Sequence, residues 1–176
     1  YAKAILQAKE NCVICGLDIA GRVFTTQDKN IKFKPQVSDG QKIKKGKIVA
    51  YISGKAQGIL TAERVALNFL SLLSGVATKT RVYVDKVKPY KVRILDTRKT
   101  IPGLRELEKY AIRTGGGYNH RMRLDEMVLV KDNHLKIKTS KFKIKDLRKR
   151  ISKNIKIEIE VKNLREFKEA LEARPD

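Results

Sequence analysis

Cationic side chains follow directly after two short apolar segments of the chain. Residues 92–95 precede Arg98 and Lys99 in the polar run DTRK, and residues 127–130 precede Lys131. Apolar runs of this length predict buried strands, and in α/β barrels the carboxyl ends of the strands carry the substrate-binding loops. Arginine offers a planar pair of donors to a carboxylate or phosphate, and lysine a compact positive charge. The pattern therefore favours a substrate with several negative charges.

Other segments add further candidate groups. His120 and Arg121 follow the glycine run at 115–117, Glu160 ends a third apolar segment, and Arg64 lies near the start of a long helical pattern. The set then holds many cations and one carboxylate. In a chain this basic, any one of these cations could be a solvated surface charge, so it is their position after predicted strands that favours a binding role. His134 could either bind substrate or position its loop.

The composition limits the possible functions. The chain has 176 residues, 41% of them hydrophobic, which is enough for one large or two small domains with a core. Its formal charge of +21 has three possible causes: a nucleic-acid partner, a strongly anionic small substrate, or lysine enrichment of a solvated surface. Nucleic-acid binding is the least favoured because no helix-turn-helix, zinc-finger or RNA-binding signature accompanies the charge. No apolar run reaches the roughly 18 residues of a membrane span.

The two cysteines, Cys12 and Cys15, form a C-x-x-C pair among apolar neighbours. A structural zinc site usually takes a second pair of ligands, which the chain lacks. We therefore predict inert, at least partly buried thiols, with redox or metal chemistry as the alternative. This cysteine usage is compatible with a reducing, cytoplasmic compartment.

The first part of the chain predicts a small α+β domain, residues 1–60. Residues 1–10 suggest the end of a helix whose beginning is absent, and the chain starts at Tyr1 rather than Met, so we expect a missing N-terminal piece. A long helix is predicted from an N-cap at Thr61 to about Lys88, and its Gly75 suggests a close contact or a bend. Between these helices the pattern indicates short strands and turns, with strands at 31–37 and 47–54 and turns at 38–40 and 44–46.

Beyond Pro89, strands and helices alternate, which predicts parallel βα units. Pro102 is predicted to open a helix at its first position. The glycines at 115–117 either end that helix or form a phosphate-binding loop. Three such units are too few to close a barrel. We therefore predict that residues 61–176 form the long helix and an incomplete, open α/β barrel, and we expect the chain to be part of a longer protein. The predicted strands are 92–95, 127–130 and 155–161, and the predicted helices are 103–113, 144–152 and 164–173.

Several linked motifs resemble one enzyme family. The segments DTRKT-PG, RTGGG-NHR and VKDNH occur in this order, with KENCVICGLD, ERVALNFLSLLSGVAT and IEIEV elsewhere. Together they resemble the quinolinate phosphoribosyltransferases over nearly the whole chain. The resemblance implies a sandwich-like N-terminal domain, an α/β barrel, and transfer of phosphoribosyl from phosphoribosyl pyrophosphate to quinolinate with decarboxylation, in de novo NAD synthesis. It also implies Mg²⁺ and a homodimer or assembly of dimers. From the composition and the cysteine usage we expect a cytoplasmic location and neither a nucleic-acid nor a membrane partner.

The resemblance also implies roles for individual residues. Thr97 and Lys99 match substrate-binding positions, and Lys99 is a candidate catalytic residue. Glu160 matches an acidic residue beside the ribose hydroxyls, which suggests a catalytic role and a contact with Mg²⁺, directly or through water. Lys9 matches a basic residue, more often arginine in the family, that is lent to the neighbouring subunit's site. The positions that match those holding quinolinate are Arg64, Arg98, His120, Arg121 and Lys131.

Two alternative functions remain open. One is a related phosphoribosyltransferase with another acceptor, either nicotinate or the unknown substrate of the relatives associated with molybdenum transport. The other, from a different class, is a basic RNA-binding module.

Overall fold

The computed structural model describes residues 1–131, 147–172 and 174–176, and these form a mixed α/β fold. The predicted α/β class is therefore confirmed. The chain divides into two compact units, Tyr1–His120 and Arg121–Asp176. His134 and residues 144–146 of the predicted helix 144–152 lie outside the described residues.

The first unit contains a small antiparallel sheet and a short two-stranded ladder. The sheet has the order β1-β5-β3, and β2 pairs with β4. Glycines at 40 and 46, with φ of 88° and 87°, lie in the two predicted turns. The strands are β1 (Ala2–Gln7), β2 (Cys12–Val13), β3 (Lys32–Pro35), β4 (Lys42–Ile43) and β5 (Ile48–Gly54).

Two predictions for this region are wrong. Residues 1–10 do not end a helix, because Ala2–Gln7 alternates half-buried and exposed side chains and pairs with β5 along its length. The region predicted to contain only strands also holds a helix, α1 (Leu17–Gln27). Leu17, Ala20 and Phe24 are its buried residues, and their spacing places them on one helical face.

The long helix, α2 (Ala56–Val87), ends where the sequence predicts but begins earlier. Its N-cap is Lys55, so the predicted cap at Thr61 is wrong. Thr61 lies inside the helix and its hydroxyl donates to the carbonyl of Gln57 at 2.9 Å. The predicted domain boundary between residues 60 and 61 falls within this helix.

By length and composition alone, α2 is apolar enough to cross a membrane. One face of it is nevertheless buried inside the first unit. Ala62, Ala66 and Leu70 belong to the core around α1, and Leu73 and Ala77 pack in a second cluster with Ala111. We therefore interpret α2 as a core helix.

The third helix, α3 (Arg105–Thr114), starts later than predicted. Pro102 is not its first residue, because Gly103 has a φ of 79°, outside the helical range, and Leu104 is the N-cap. The preceding strand prediction is also wrong. Residues 92–95 form a single parallel bridge, between Leu95 and Tyr118, and Leu95 is 53% exposed.

The glycines at 115–117 allow α3 to end against α2. A Cβ on Gly115 would lie 2.5 Å from the carbonyl oxygen of Ala77 and 2.7 Å from the Cβ of Thr80. Gly116 has a φ of 91°, which favours glycine. These contacts account for the glycine run as a helix end in close packing, and so favour that interpretation over a phosphate-binding loop.

The second unit is built on a parallel strand pair, as predicted. Its strands are β6 (Met127–Val130) and β7 (Lys156–Ile159), with Val130 opposite Ile159. Val130, Leu147 and Ile157 form its buried core. Its described helices are a 3₁₀ turn (Leu124–Glu126), α4 (Leu147–Arg150) and α5 (Leu164–Leu171), the last confirming the prediction for 164–173.

We expect Gly115→Ala to destabilise the first unit by about 1–3 kcal/mol, because the added methyl group would overlap backbone and side-chain atoms of α2. Chemical denaturation would measure the change. Gly75→Ala is the matched control, since apart from its chain neighbours and the nearby backbone of its own helix no described atom lies within 4 Å of its Cβ position. That substitution, within a helix, should be neutral or stabilise by up to about 1 kcal/mol. Equal effects of the two substitutions would contradict the packing argument.

Candidate functional site

A buried ion pair holds two of the predicted site segments together in the first unit. The ammonium of Lys109, on α3, lies 2.5 Å from Oδ1 of Asp96, and the two side chains are 1% and 5% exposed. The same ammonium donates to the main-chain carbonyl of His120 at 2.9 Å. The backbone N–H of His120 in turn donates to Oδ1 of Asp96 at 2.8 Å. One carboxylate and one ammonium thus connect the DTRK segment to the NHR segment.

Backbone hydrogen bonds continue this connection. Tyr118 donates to the carbonyl of Ile94 at 2.8 Å, and Asp96 donates to the carbonyl of Tyr118 at 3.1 Å. With its amide oriented to satisfy its neighbours, Asn119 donates to the second oxygen of Asp96 and to the carbonyl of Lys109, both at 3.0 Å. The two segments therefore run side by side up to the point where the predicted binding residues begin.

Three predicted residues follow Asp96 directly. Thr97 and Lys99 are exposed, and the backbone N–H of Lys99 donates to the hydroxyl of Thr97 at 3.1 Å. Arg98 is half-buried, and its Nε is buried without an acceptor among the described residues. The ion pair holds Asp96, at the start of this run, next to the backbone of His120.

In the second unit, Lys131 and Glu160 lie at the carboxyl ends of neighbouring parallel strands. The backbone N–H of Glu160 donates to the carbonyl of Val130 at 2.8 Å, which continues the β6–β7 ladder by one position. Both side chains are exposed. The sequence predicts a strand that ends before Lys131 and a strand over 155–161 that includes Glu160, and in the structure β6 and β7 end side by side.

Arg121 begins the second unit and is held to the start of β6. Its guanidinium donates to the carbonyl of Met127 at 2.7 Å. Its Nε, like that of Arg98, is buried without a partner in the part of the chain that is described, and Arg81 on α2 shares this property. Most buried polar atoms in proteins have a hydrogen-bond partner, so an acceptor is expected for each of these Nε–H groups.

Arg64 and Lys9 line a groove of the first unit that is formed mainly by β1, the residues that follow it and α2, and Asp96 and Lys109 are not among its lining residues. The groove has a volume of about 810 Å³. Arg64 and Lys9 are both exposed, and Glu10, Glu63 and Lys79 also line the groove. The two predicted residues Arg64 and Lys9 therefore line the same groove.

The sequence interpretation missed Lys109 and a second anchoring carboxylate, Asp39. Asp39 accepts hydrogen bonds from the backbone of Gly16 at 2.8 Å and Leu17 at 3.2 Å, at the start of α1, and from the hydroxyl of Tyr110 at 2.7 Å. Burial, and then the bond to Asp39, raises the pKa of Tyr110 to about 12. The acidic residue in the SDG turn could have been recognised from the sequence as a possible anchor. Nothing in the sequence distinguishes Lys109 from the many other lysines.

The cysteines have the properties of inert thiols. Cys15 is buried and its backbone N–H donates to the hydroxyl of Ser74 at 3.0 Å. Burial raises its pKa to about 11, and burial followed by the charge of Glu10 raises the pKa of Cys12. Reactivity requires the thiolate, so both thiols are poorly reactive at neutral pH. No cluster of three or more metal-ligating side chains occurs in the described ranges.

Family models divide the chain into two matching parts. Residues 1–74 match the quinolinate phosphoribosyl transferase N-terminal domain, and residues 76–176 match the C-terminal domain of the same family. The chain belongs to the quinolinate phosphoribosyltransferase family. The resemblance seen in its motifs is therefore confirmed.

Curated relatives and solved structures agree with this membership. A probable nicotinate-nucleotide pyrophosphorylase [carboxylating] of Synechocystis is 47% identical over 93% of this chain and 56% of its own length. One of Methanocaldococcus jannaschii is 45% identical over 99% and 61%. The structure of NadC from Streptococcus pyogenes matches with a TM-score of 0.91 at 43% identity, over 99% of this chain and 62% of that one. The chain thus spans roughly three-fifths of the relatives' length.

We expect Tyr110→Phe to change how stability depends on pH. A folded-state pKa of about 12, above the ordinary value of 10.0, means that the protonated phenol stabilises the fold. This contribution is complete below the unfolded-state value near pH 10 and is lost as the pH rises towards about 12. The variant should therefore lose about 1–3 kcal/mol at pH 8 and show a shallower decline from pH 10 to 12.

Chemical denaturation at several pH values would measure this effect. Tyr90→Phe is the control, because Tyr90 is 69% exposed. Identical alkaline slopes for the unaltered protein and Tyr110→Phe would contradict the assignment.

Proposed function

We propose that the natural protein carrying this sequence transfers phosphoribosyl from phosphoribosyl pyrophosphate to quinolinate with loss of CO₂. The products are nicotinate mononucleotide and pyrophosphate, in de novo NAD synthesis. One observation carries the proposal. In a chain that matches both family models, the buried Asp96–Lys109 pair holds the run of residues 97–99 beside His120.

Quinolinate carries two carboxylates, and the proposed binding residues are mostly cationic. In the first unit we assign Arg98 and His120 to the substrate, with Thr97 and Lys99 in the same pocket. The buried Nε atoms of Arg98 and Arg121, which lack acceptors among the described residues, support binding of an anionic oxygen. The other cations assigned to quinolinate are Arg64 in the first unit and Arg121 and Lys131 in the second.

The reaction requires little covalent chemistry from the protein. Pyrophosphate leaves the anomeric carbon, the ribosyl centre becomes oxocarbenium-like, and the pyridine nitrogen attacks it. Lys99 would stabilise negative charge, and Glu160 would accept hydrogen bonds from ribose hydroxyls. The ribosylated ring then acts as an electron sink: the bond between the ring and the neighbouring carboxylate breaks, CO₂ departs, and the ring carbon keeps the electron pair and takes up a proton from water. The protein's main contribution is to hold two polyanions in the right orientation.

The described residues fit a bound Mg²⁺ that takes part of its ligands from the substrate. Mg²⁺ typically uses one or two carboxylates together with waters and phosphate oxygens. Glu160 offers an exposed carboxylate at the end of β7, and the described residues form no larger cluster of ligands. When bound, the ion would neutralise charge on the pyrophosphate. Glu160 would hold it directly or through water.

We further propose a homodimer or assembly of dimers, an open α/β barrel built on the parallel β6–β7 pair, and a cytoplasmic location. Lys9 would reach the neighbouring subunit's site. Neither a nucleic-acid nor a membrane partner is proposed.

An acceptor assay distinguishes the proposed reaction from its alternatives. We expect the natural protein, given Mg²⁺ and phosphoribosyl pyrophosphate, to release CO₂ from quinolinate and form nicotinate mononucleotide, and to leave nicotinate unchanged. Product chromatography and labelled CO₂ would measure both. Conversion of nicotinate alone would indicate the related enzyme. Tight, steeply salt-dependent RNA binding that is insensitive to Glu160→Ala, without turnover, would indicate the RNA-binding module.

We expect Arg98→Ala and Lys131→Ala each to lose at least about 2 kcal/mol of transition-state stabilisation, as for charge-assisted contacts to a substrate carboxylate. Steady-state kcat/KM for quinolinate would measure the loss. Arg22→Ala and Lys153→Ala, which remove exposed cations elsewhere, are the matched controls. Near-normal turnover in both site variants would refute the assignment.

A further inference from the structure

Lys109 differs in its environment from the other cations of the chain. The sequence contains 40 lysines and arginines, yet among the described residues Lys109 is the only one that is buried. Its ammonium contacts two separate segments, through the carboxylate of Asp96 and the carbonyl of His120. A lysine is rarely buried unless it is paired. Its position therefore needs an explanation beyond surface charge.

The contacts of Lys109 are with residues next to the proposed binding groups. Asp96 immediately precedes residues 97–99, and His120 is itself assigned to the substrate. The ammonium and the N–H of His120 share the same oxygen of Asp96, at 2.5 Å and 2.8 Å. With the bond from the ammonium to the His120 carbonyl, these contacts form a closed ring, so a shift of either segment would strain a charge-assisted hydrogen bond.

Burial makes the ring a strong constraint. At 1% and 5% exposure, neither member of the pair can exchange its partner for water without moving. A solvent-exposed ion pair imposes little order, whereas breaking a buried one leaves an uncompensated charge. The ammonium already contacts two protein acceptors, so Lys109 would act on a substrate through its neighbours.

We propose that Lys109 is a positioning residue, which sets the separation between residues 97–99 and His120 so that both meet one anionic substrate. This inference rests on the proposed function. It assigns a role in catalysis to a side chain that does not touch the substrate.

The test removes both charges at once, with Lys109→Met and Asp96→Asn in the same protein. Lys109→Met alone would leave a buried carboxylate unpaired and destabilise the fold, whereas the double variant leaves no buried charge. The amide oxygen that Asp96→Asn introduces can still accept from the N–H of His120. We expect the double variant to fold, while kcat/KM for quinolinate falls by at least about ten-fold, because orientation is lost. Kinetics are measured well below its melting temperature.

The matched control makes the same two types of substitution, lysine to methionine and aspartate to asparagine, at a different ion pair. Lys42→Met with Asp85→Asn removes a pair that is 63% and 46% exposed, outside the proposed binding residues. This variant should retain normal kinetics. If the Lys109 double variant does not fold, Lys109→Gln with Asp96→Asn replaces it, since glutamine retains a donor. A folded variant of either kind with normal kcat/KM would overturn the inference.

A second measurement separates this inference from the proposed function. Amide hydrogen exchange measures how well the backbone N–H groups of segments 94–99 and 118–120 are protected, and it requires no substrate. We expect exchange to rise in both segments together in the double variant, and in neither segment in the control. If the unaltered protein fails to convert quinolinate, the proposed function is wrong. Unchanged exchange in the double variant would then overturn the role of Lys109.

Discussion

The arrangement of the candidate site depends on one buried ion pair, between Asp96 and Lys109. Desolvating two charges is expensive, and their attraction compensates only when the geometry is good and the remaining hydrogen-bonding capacity is used. Both conditions hold here, because Asp96 also accepts from the backbone of His120 and Lys109 also donates to its carbonyl. The pair therefore specifies where the two segments lie, whatever it adds to net stability.

The position of Lys109 depends in turn on how α3 packs against α2. Gly115 approaches the carbonyl of Ala77 so closely that no side chain fits, and Ala111 is buried in the same cluster as Leu73. On the neighbouring position of α3, Tyr110 bonds to Asp39, which also holds the start of α1. The helix is thus fixed to the core by small residues and to α1 by a carboxylate, and its buried lysine has little freedom.

The sequence predicted those elements whose signal is local. The strand at Ile48–Gly54, the end of α2 near Pro89 and the parallel pair of β6 and β7 follow from apolar runs, turn residues and a proline. The errors arise where a local signal competes with tertiary pairing. Ala2–Gln7 contains good helix formers yet pairs with β5, and Pro102 precedes a glycine with a left-handed φ that delays α3.

Arg98, Lys99 and Lys131 directly follow short apolar runs, which is what made them stand out in the sequence, whereas the role of Lys9 came only from the family resemblance. Lys109 gives no such signal. It lies among other charged residues in a helix with the motif ELEKY, and its partner Asp96 is 13 residues away. Whether a lysine in such a pattern is solvated or buried depends on the approach of a second segment, here the one ending at His120. Candidate binding side chains can thus be proposed from local sequence pattern, whereas the side chains that hold those segments in register become visible only in three dimensions.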